Sequence, residues 1–245
     1  MEKEVCNICY IRIEKEADST KGISLYKLNR MLPYEGGSVR LFFGVIKERE
    51  IPVRKVNRRG KETGKYRRKK RNFYKELEAF VEKAQSLAEK ETVLFVPSIG
   101  LEEFWERKEA LPMPLFAVCL KNERERIFLQ KRVCLSLPED AGELLAQEVI
   151  ELFLPYLSKI NELVICGQES QCADMIEAFC YEEYGILTSY AKKPVKSTLW
   201  LDFRYDEDIL LKRYAAENGI YHLNYAEVLK FLDTITKNGY NTEVN

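Results

Sequence analysis

Eleven basic side chains stand between Arg54 and Arg71 against Glu62 alone, a net charge of plus ten in one short segment. Clustered Arg and Lys are what phosphate binding uses, so Arg58, Arg59, Lys65, Arg67, Arg68, Lys69, Lys70 and Arg71 are candidate anion-binding residues. Tyr66, Phe73 and Tyr74 lie close enough in sequence to stack on bases, and a two-stranded basic ribbon would fit a major groove. The simpler alternative is a solvated arm that rests on the protein's own acidic body or on an acidic partner. Burial of the segment is excluded, because unpaired charges cost several kcal/mol each.

Three other groups carry weaker signals. After the apolar run LVIC, Gly167 to Ser170 occupy a strand-to-helix turn of the kind that holds phosphate in dinucleotide-binding folds. The glycine pattern is missing and Glu169 would repel an anion, so Gly167 and Ser170 remain ligand-binding candidates with helix capping as their ordinary role. Asp202, Asp206 and Asp208 place one carboxylate at a strand end and two at a helix start, where they could hold Mg²⁺ or act as acid or base. Capping, and pairing of Asp202 with Arg204, would explain them equally well. Cys6 and Cys9 form C-x-x-C, but positions i and i+3 of a strand point to opposite faces and no second pair completes a zinc site. His222 is the single histidine, so Ser-His and Cys-His pairings are not suggested and a structural role is expected. No metal and no cofactor is expected, and the reading leans away from an enzyme.

The elements that would position these groups divide at Pro138. In residues 1–138, VCNICYIRI (5–13) is apolar on both alternating faces, as a central strand would be. Ile23 to Leu32 recur at helical spacing and stop at Pro33, and SVRLFFGVI (38–46) is a second strand. The basic segment 54–71, with Gly60 and Gly64, reads as a protruding hairpin or loop. From Asn72 as N-cap, Phe73, Leu77, Phe80, Val81, Ala84, Leu87 and Ala88 line one face of a helix. TVLFVP, LFAVCLK and RIFLQKRVCLSL read as strands, the last two joined through NERE as a hairpin. An α+β domain with mixed or antiparallel strands results.

In residues 139–245 strands alternate with helices, which predicts a Rossmann-like α/β domain with a mostly parallel sheet. A helix opens near Asp140 and Glu143 and ends by Pro155; LVIC comes next; a helix from Gln171 ends at Gly185; then come strands to Tyr190 and from Thr198 to Phe203. A helix from Asp206, the strand IYHL and a last helix opened by Asn224 and Glu227 complete the chain. The seven residues AKKPVKS between two of these strands are too few for a parallel crossover of about a dozen, so that pair is expected to be antiparallel or its loop to run taut along the sheet edge.

Composition bounds the rest. The 245 residues hold 39 Lys plus Arg and 39 Asp plus Glu, so everything outside the basic segment sums to minus ten. Hydrophobic residues at 46 per cent exclude disordered and fibrous classes. Seven irregularly spaced cysteines, a charged start (MEKEV) and no run of about 18 uncharged residues predict a cytoplasmic protein without a membrane span. The expected function is non-catalytic binding, with the basic arm turned toward an anionic partner such as nucleic acid. The alternative is an enzyme or sensor with a small metabolite or nucleotide at the strand ends of the second domain, and a homo-oligomeric scaffold is a third reading.

Overall fold

The computed structural model describes residues 4–14, 23–34, 37–47, 51–52, 54–56, 62–66, 70–88, 92–98, 101, 112–122, 131–195, 199–204, 209–238 and 241–243. The fold is α/β and divides into two compact units, residues 1–110 with 232–245, and residues 111–231. Among the described residues no helix is long and apolar enough to cross a membrane.

The first unit is built on a mixed sheet of β1 (Glu4–Glu14), β2 (Ser24–Leu28), β3 (Leu32–Pro33), β4 (Gly37–Lys47), β7 (Val93–Pro97) and β13 (Asn241–Glu243), ordered β13-β2-β4-β1-β7 with β3 also on β4. β1 runs parallel to both β4 and β7, whereas β2 and β3 run antiparallel to β4. The period of two then sorts the side chains. Cys9, Ile11, Phe42, Ile46, Leu25, Val93 and Phe95 turn to α1 (Lys70–Leu87), whose Phe73, Leu77, Phe80, Val81 and Ala84 fill the same core. Tyr10, Arg12 and Phe43 turn to the opposite face, where the Tyr10 hydroxyl donates to Asp233 Oδ1 at 2.7 Å. Both faces of β1 are buried, as its largely apolar run requires.

β5 (Arg54–Val56) and β6 (Glu62–Tyr66) pair antiparallel, so the basic segment contains a hairpin, with residues 57–61 between its strands outside the described set. α1 begins at Lys70, which makes Asn72 a helical residue and not its cap.

Two elements differ from expectation. Ile23 to Leu32 is not a helix but β2 and β3, because both faces of this stretch find apolar partners across a ladder: Leu25 lies opposite Gly44, and Tyr26 stacks on Phe43 with ring centroids 5.2 Å apart. LFAVCLK is not a strand but part of α2 (Met113–Asn122). Leu115, Phe116, Val118, Cys119 and Leu120 are all buried, so hydrophobic periodicity is silent here. The overlooked signal is Pro112 and Pro114 at the start, where a helix tolerates proline.

The second unit is a parallel five-stranded sheet of β8 (Arg132–Ser136), β9 (Glu162–Cys166), β10 (Leu187–Ala191), β11 (Leu199–Asp202) and β12 (Tyr221–Asn224), ordered β10-β9-β8-β11-β12. Its helices are α2, α3 (Glu143–Phe153), α4 (Gln171–Tyr184), α5 (Ile209–Glu217) and the start of α6 (Tyr225–Asn238). Sequence texture puts the domain break at Pro138, yet β8 precedes that proline and belongs to the second unit, because β9 and β11 supply both of its ladders.

The seven-residue connection is explained by strand order. β10 and β11 are not neighbours and are not antiparallel; β9 and β8 lie between them. Residues 192–195 cross one face of the sheet, with Val195 packed over Cys134, Val164, Cys166 and Trp200 and its carbonyl accepting from Cys134 Sγ at 3.7 Å. A diagonal across three strand spacings is about 17 Å, which seven extended residues span without a helix.

One close approach in the first unit is directly testable. A Cβ on Gly44 would stand 2.6 Å from the Phe80 ring, so β4 and α1 pack this tightly only around glycine. Gly44→Ala is expected to lower stability by about 1 to 3 kcal/mol in urea denaturation. Combined with Phe80→Leu it should cost less than the two changes measured separately.

Candidate functional site

Strand register in the second unit gathers polar residues on one face. Trp200 lies opposite Cys134 and His222, and Asp202 opposite Ser136 and Asn224, so all six side chains share that face, while Val133, Leu135, Leu199, Leu201 and Leu223 line the other. The chain passes from β8 outward to β9 and β10, then returns to place β11 on β8's other side. Consecutive connections therefore diverge at the carboxyl ends of β8 and β11, the position where doubly wound sheets open a crevice for ligands. Ser136 and Asp202 are the last residues of those two strands.

Asp202 is 3 per cent exposed and is held from three sides. Arg204 donates through Nε to Oδ1 at 2.8 Å and through Nη2 to Oδ2 at 2.7 Å, and its backbone N–H reaches Oδ1 at 3.2 Å. His222 Nε2 lies 3.2 Å from Oδ2. Since an ionised carboxylate only accepts, Nε2 carries the proton, while Nδ1 is buried without a hydrogen-bond partner among the described residues. The imidazole stacks on Trp200 at 3.8 Å and 11°, the Arg204 guanidinium lies 5.6 Å over the same indole, and the indole N–H donates to Ser136 Oγ at 2.9 Å. Asn224 Oδ1 accepts from the Glu227 N–H at 3.0 Å and so caps α6.

Burial pushes the Asp202 carboxyl up, but the hydrogen bonds from Arg204 and His222 and the guanidinium charge outweigh it and hold the group below its ordinary value. Beneath the cluster, a hydrogen bond with Cys134 and then burial raise the Cys166 thiol far above its usual range, and burial lifts Cys172 and Cys180 to about 11. None of the three is a ready thiolate nucleophile.

The candidate residues named from the sequence are distributed unevenly. Asp202 is in the cluster, and its partner is the Arg204 named beside it. Gly167 comes directly after β9, one strand away from the divergence point, with φ of 146° that only glycine adopts readily, and its N–H donates to Ala191 O at 3.1 Å. Ser170 Oγ accepts from the Ala173 N–H at 3.2 Å, a capping role. Neither belongs to the hydrogen-bonded cluster around Asp202. Asp206, Asp208, Arg58, Arg59, Arg67, Arg68 and Lys69 lie outside the described residues; Lys65 falls in β6 and Lys70 and Arg71 open α1. Cys6 and Cys9 fall on the β1 strand, and among the described residues no group of three or more metal-ligating side chains occurs. His222, Trp200 and Ser136 are not among the site residues expected from the sequence. The available signal was one polar position at the same register in each of three short apolar strands.

The unit is thus of the doubly wound α/β class, with a carboxylate, guanidinium and imidazole locked together at its divergence point. Comparison with known proteins adds nothing to this: no family model, no curated protein and no solved structure matches the chain.

Asp202→Asn is expected to cost about 3 to 5 kcal/mol at neutral pH, because it removes the buried carboxylate that Arg204 and His222 both hold. Since the folded carboxyl titrates below its ordinary 3.8, its contribution is complete above that value and is lost as pH falls through the lower, folded one. Urea denaturation across the acid range should therefore show a stability loss in the wild type that is shallower in the variant.

Proposed function

We propose that the second unit binds a small metabolite in the crevice between the carboxyl ends of β8 and β11, as a binding or sensing protein. The observation that carries this reading is the pairing of Ser136 with Asp202 at the divergence point, flanked by Arg204 and His222. Glu143, Asp174 and Glu227 stand in the first turns of α3, α4 and α6, so the helix N-termini at this end already hold negative charge. That disfavours a polyphosphate and favours a ligand presenting amine or hydroxyl groups. The same reading puts the protein in a reducing cytoplasm, where Cys134 and Cys166 persist side by side as buried thiols.

A thermal-shift screen of amino acids, polyamines and sugars beside nucleotides tests it. A true ligand at 100 times its dissociation constant adds about 2.7 kcal/mol of stability, and it should also change Trp200 fluorescence. Stabilisation by nucleotides only, or by nothing in the screen, would sink the reading.

A second reading concerns the basic hairpin. Arg54 pairs with Tyr66 and Val56 with Glu62, so this densely basic stretch includes a two-stranded ribbon, a shape that suits an anionic partner such as duplex nucleic acid. Fluorescence anisotropy at low salt should detect binding, and replacing Arg67, Arg68, Lys69 and Lys70 with Gln should reduce the salt slope by about 0.9 for each phosphate no longer neutralised. Unchanged binding in that variant, or none in the wild type, disposes of the idea.

A further inference from the structure

Two polar side chains of the first unit are buried with hydrogen-bonding groups left over, and they stand side by side at the carboxyl end of its parallel strands. Register carries β1 and β7 from Asn7 opposite Val93 to Ile11 opposite Pro97, and the Ser98 N–H continues the ladder by donating to Ile11 O at 2.9 Å. The next step sets Arg12 beside Ser98 on the face shared with Tyr10. Each residue is 8 per cent exposed. Glu14 takes Nη2 of Arg12, whereas Nε, Nη1 and the Ser98 Oγ have no hydrogen-bond partner among the described residues.

Topology gives the place a meaning. β4 lies on one side of β1 and β7 on its other side, both parallel to it, so Arg12 and Ser98 stand at the carboxyl ends of two adjacent parallel strands. Carboxyl ends of parallel strands are where open α/β sheets hold ligands. A guanidinium cannot escape burial by losing its proton, and an unsatisfied one is among the most unfavourable groups a core can hold. The Phe43 ring, 5.3 Å from its centre, offsets only part of that.

We propose that Arg12 and Ser98 form a binding site for a small carboxylate ligand, the carboxylate accepting from the free N–H groups of Arg12 and from the Ser98 hydroxyl. Glu14 on Nη2, and Asp233 bonded to Tyr10 on the same face, already supply negative charge, which favours a singly charged carboxylate over a phosphate dianion. The site is in the other unit from the crevice proposed above and stands without it.

The test is thermal denaturation of the full chain and its variants in buffer free of carboxylate and phosphate, with additions of acetate, lactate, succinate or inorganic phosphate against chloride at equal ionic strength. A carboxylate should raise the wild-type Tm above the chloride control. Arg12→Met should raise the Tm in anion-free buffer, because it removes an uncompensated charge, and should lose the carboxylate response. Ser98→Ala should keep its Tm and respond more weakly. A lower Tm for Arg12→Met without anion would make the guanidinium structural and overturn the proposal. So would a carboxylate response that survives in Arg12→Met, a response to phosphate only, or no wild-type response at all.

Discussion

A strand held in parallel between two neighbours, with both of its faces covered, can hold a polar side chain only at its ends or where a partner meets it. β1, between β4 and β7, and β8, between β9 and β11, both stand under this constraint. Their interiors are accordingly Ile8, Cys9, Tyr10 and Ile11 in one case and Val133, Cys134 and Leu135 in the other, all essentially without solvent contact. Arg12 and Ser98 in the first unit and Ser136 and Asp202 in the second collect at carboxyl ends, whereas the buried Asn7, earlier in β1, accepts from Arg40 Nη1. Helices, straps and caps arise from the need to cover those two central strands.

The two collections solve the problem of buried charge differently. Asp202 is surrounded: Arg204 binds it through two nitrogens and a backbone N–H, His222 adds a third side-chain contact, and the Trp200 ring supports both partners. Its charge is stabilised where it stands, which is why its carboxyl titrates low in spite of burial. Arg12 has one carboxylate and one aromatic ring, with two nitrogens left over. The saturated charge of Asp202 is held in one orientation at the crevice, whereas Arg12 still has N–H groups to give. This contrast separates the two sites more clearly than their position does.

Much of the framework was legible in the residues. The largely apolar run of β1, the single-face stripe of α1 and the strand-helix alternation of the second sheet each follow from hydrophobic period, because the faces they bury are decided locally. A hairpin or a loop was expected in the basic segment; a hairpin forms, with Gly64 inside β6 and not at the turn. Ile23 to Leu32 and Leu115 to Lys121 were not legible: the first has apolar residues at a spacing that suits a helix as well as two short strands, and the second is buried nearly all round, so period does not discriminate. What decided them was a partner: Phe43 across from Tyr26 for the first, and burial all round behind a proline-marked start for the second.

What the sequence by itself determined is the charge separation along the chain, the α/β class, and the presence of Asp202 and Arg204 close enough to pair. Only the tertiary structure decided that β10 and β11 lie on opposite sides of β8, that His222 comes to Asp202 from twenty residues away, and that β1 and β7 pair in the register that leads on to Arg12 and Ser98. The reason is that periodicity assigns a side chain to a face but says nothing about which strand lies next to it. Strand order is set by which connections can cover which face, and a site made at a divergence point exists only once that order is chosen.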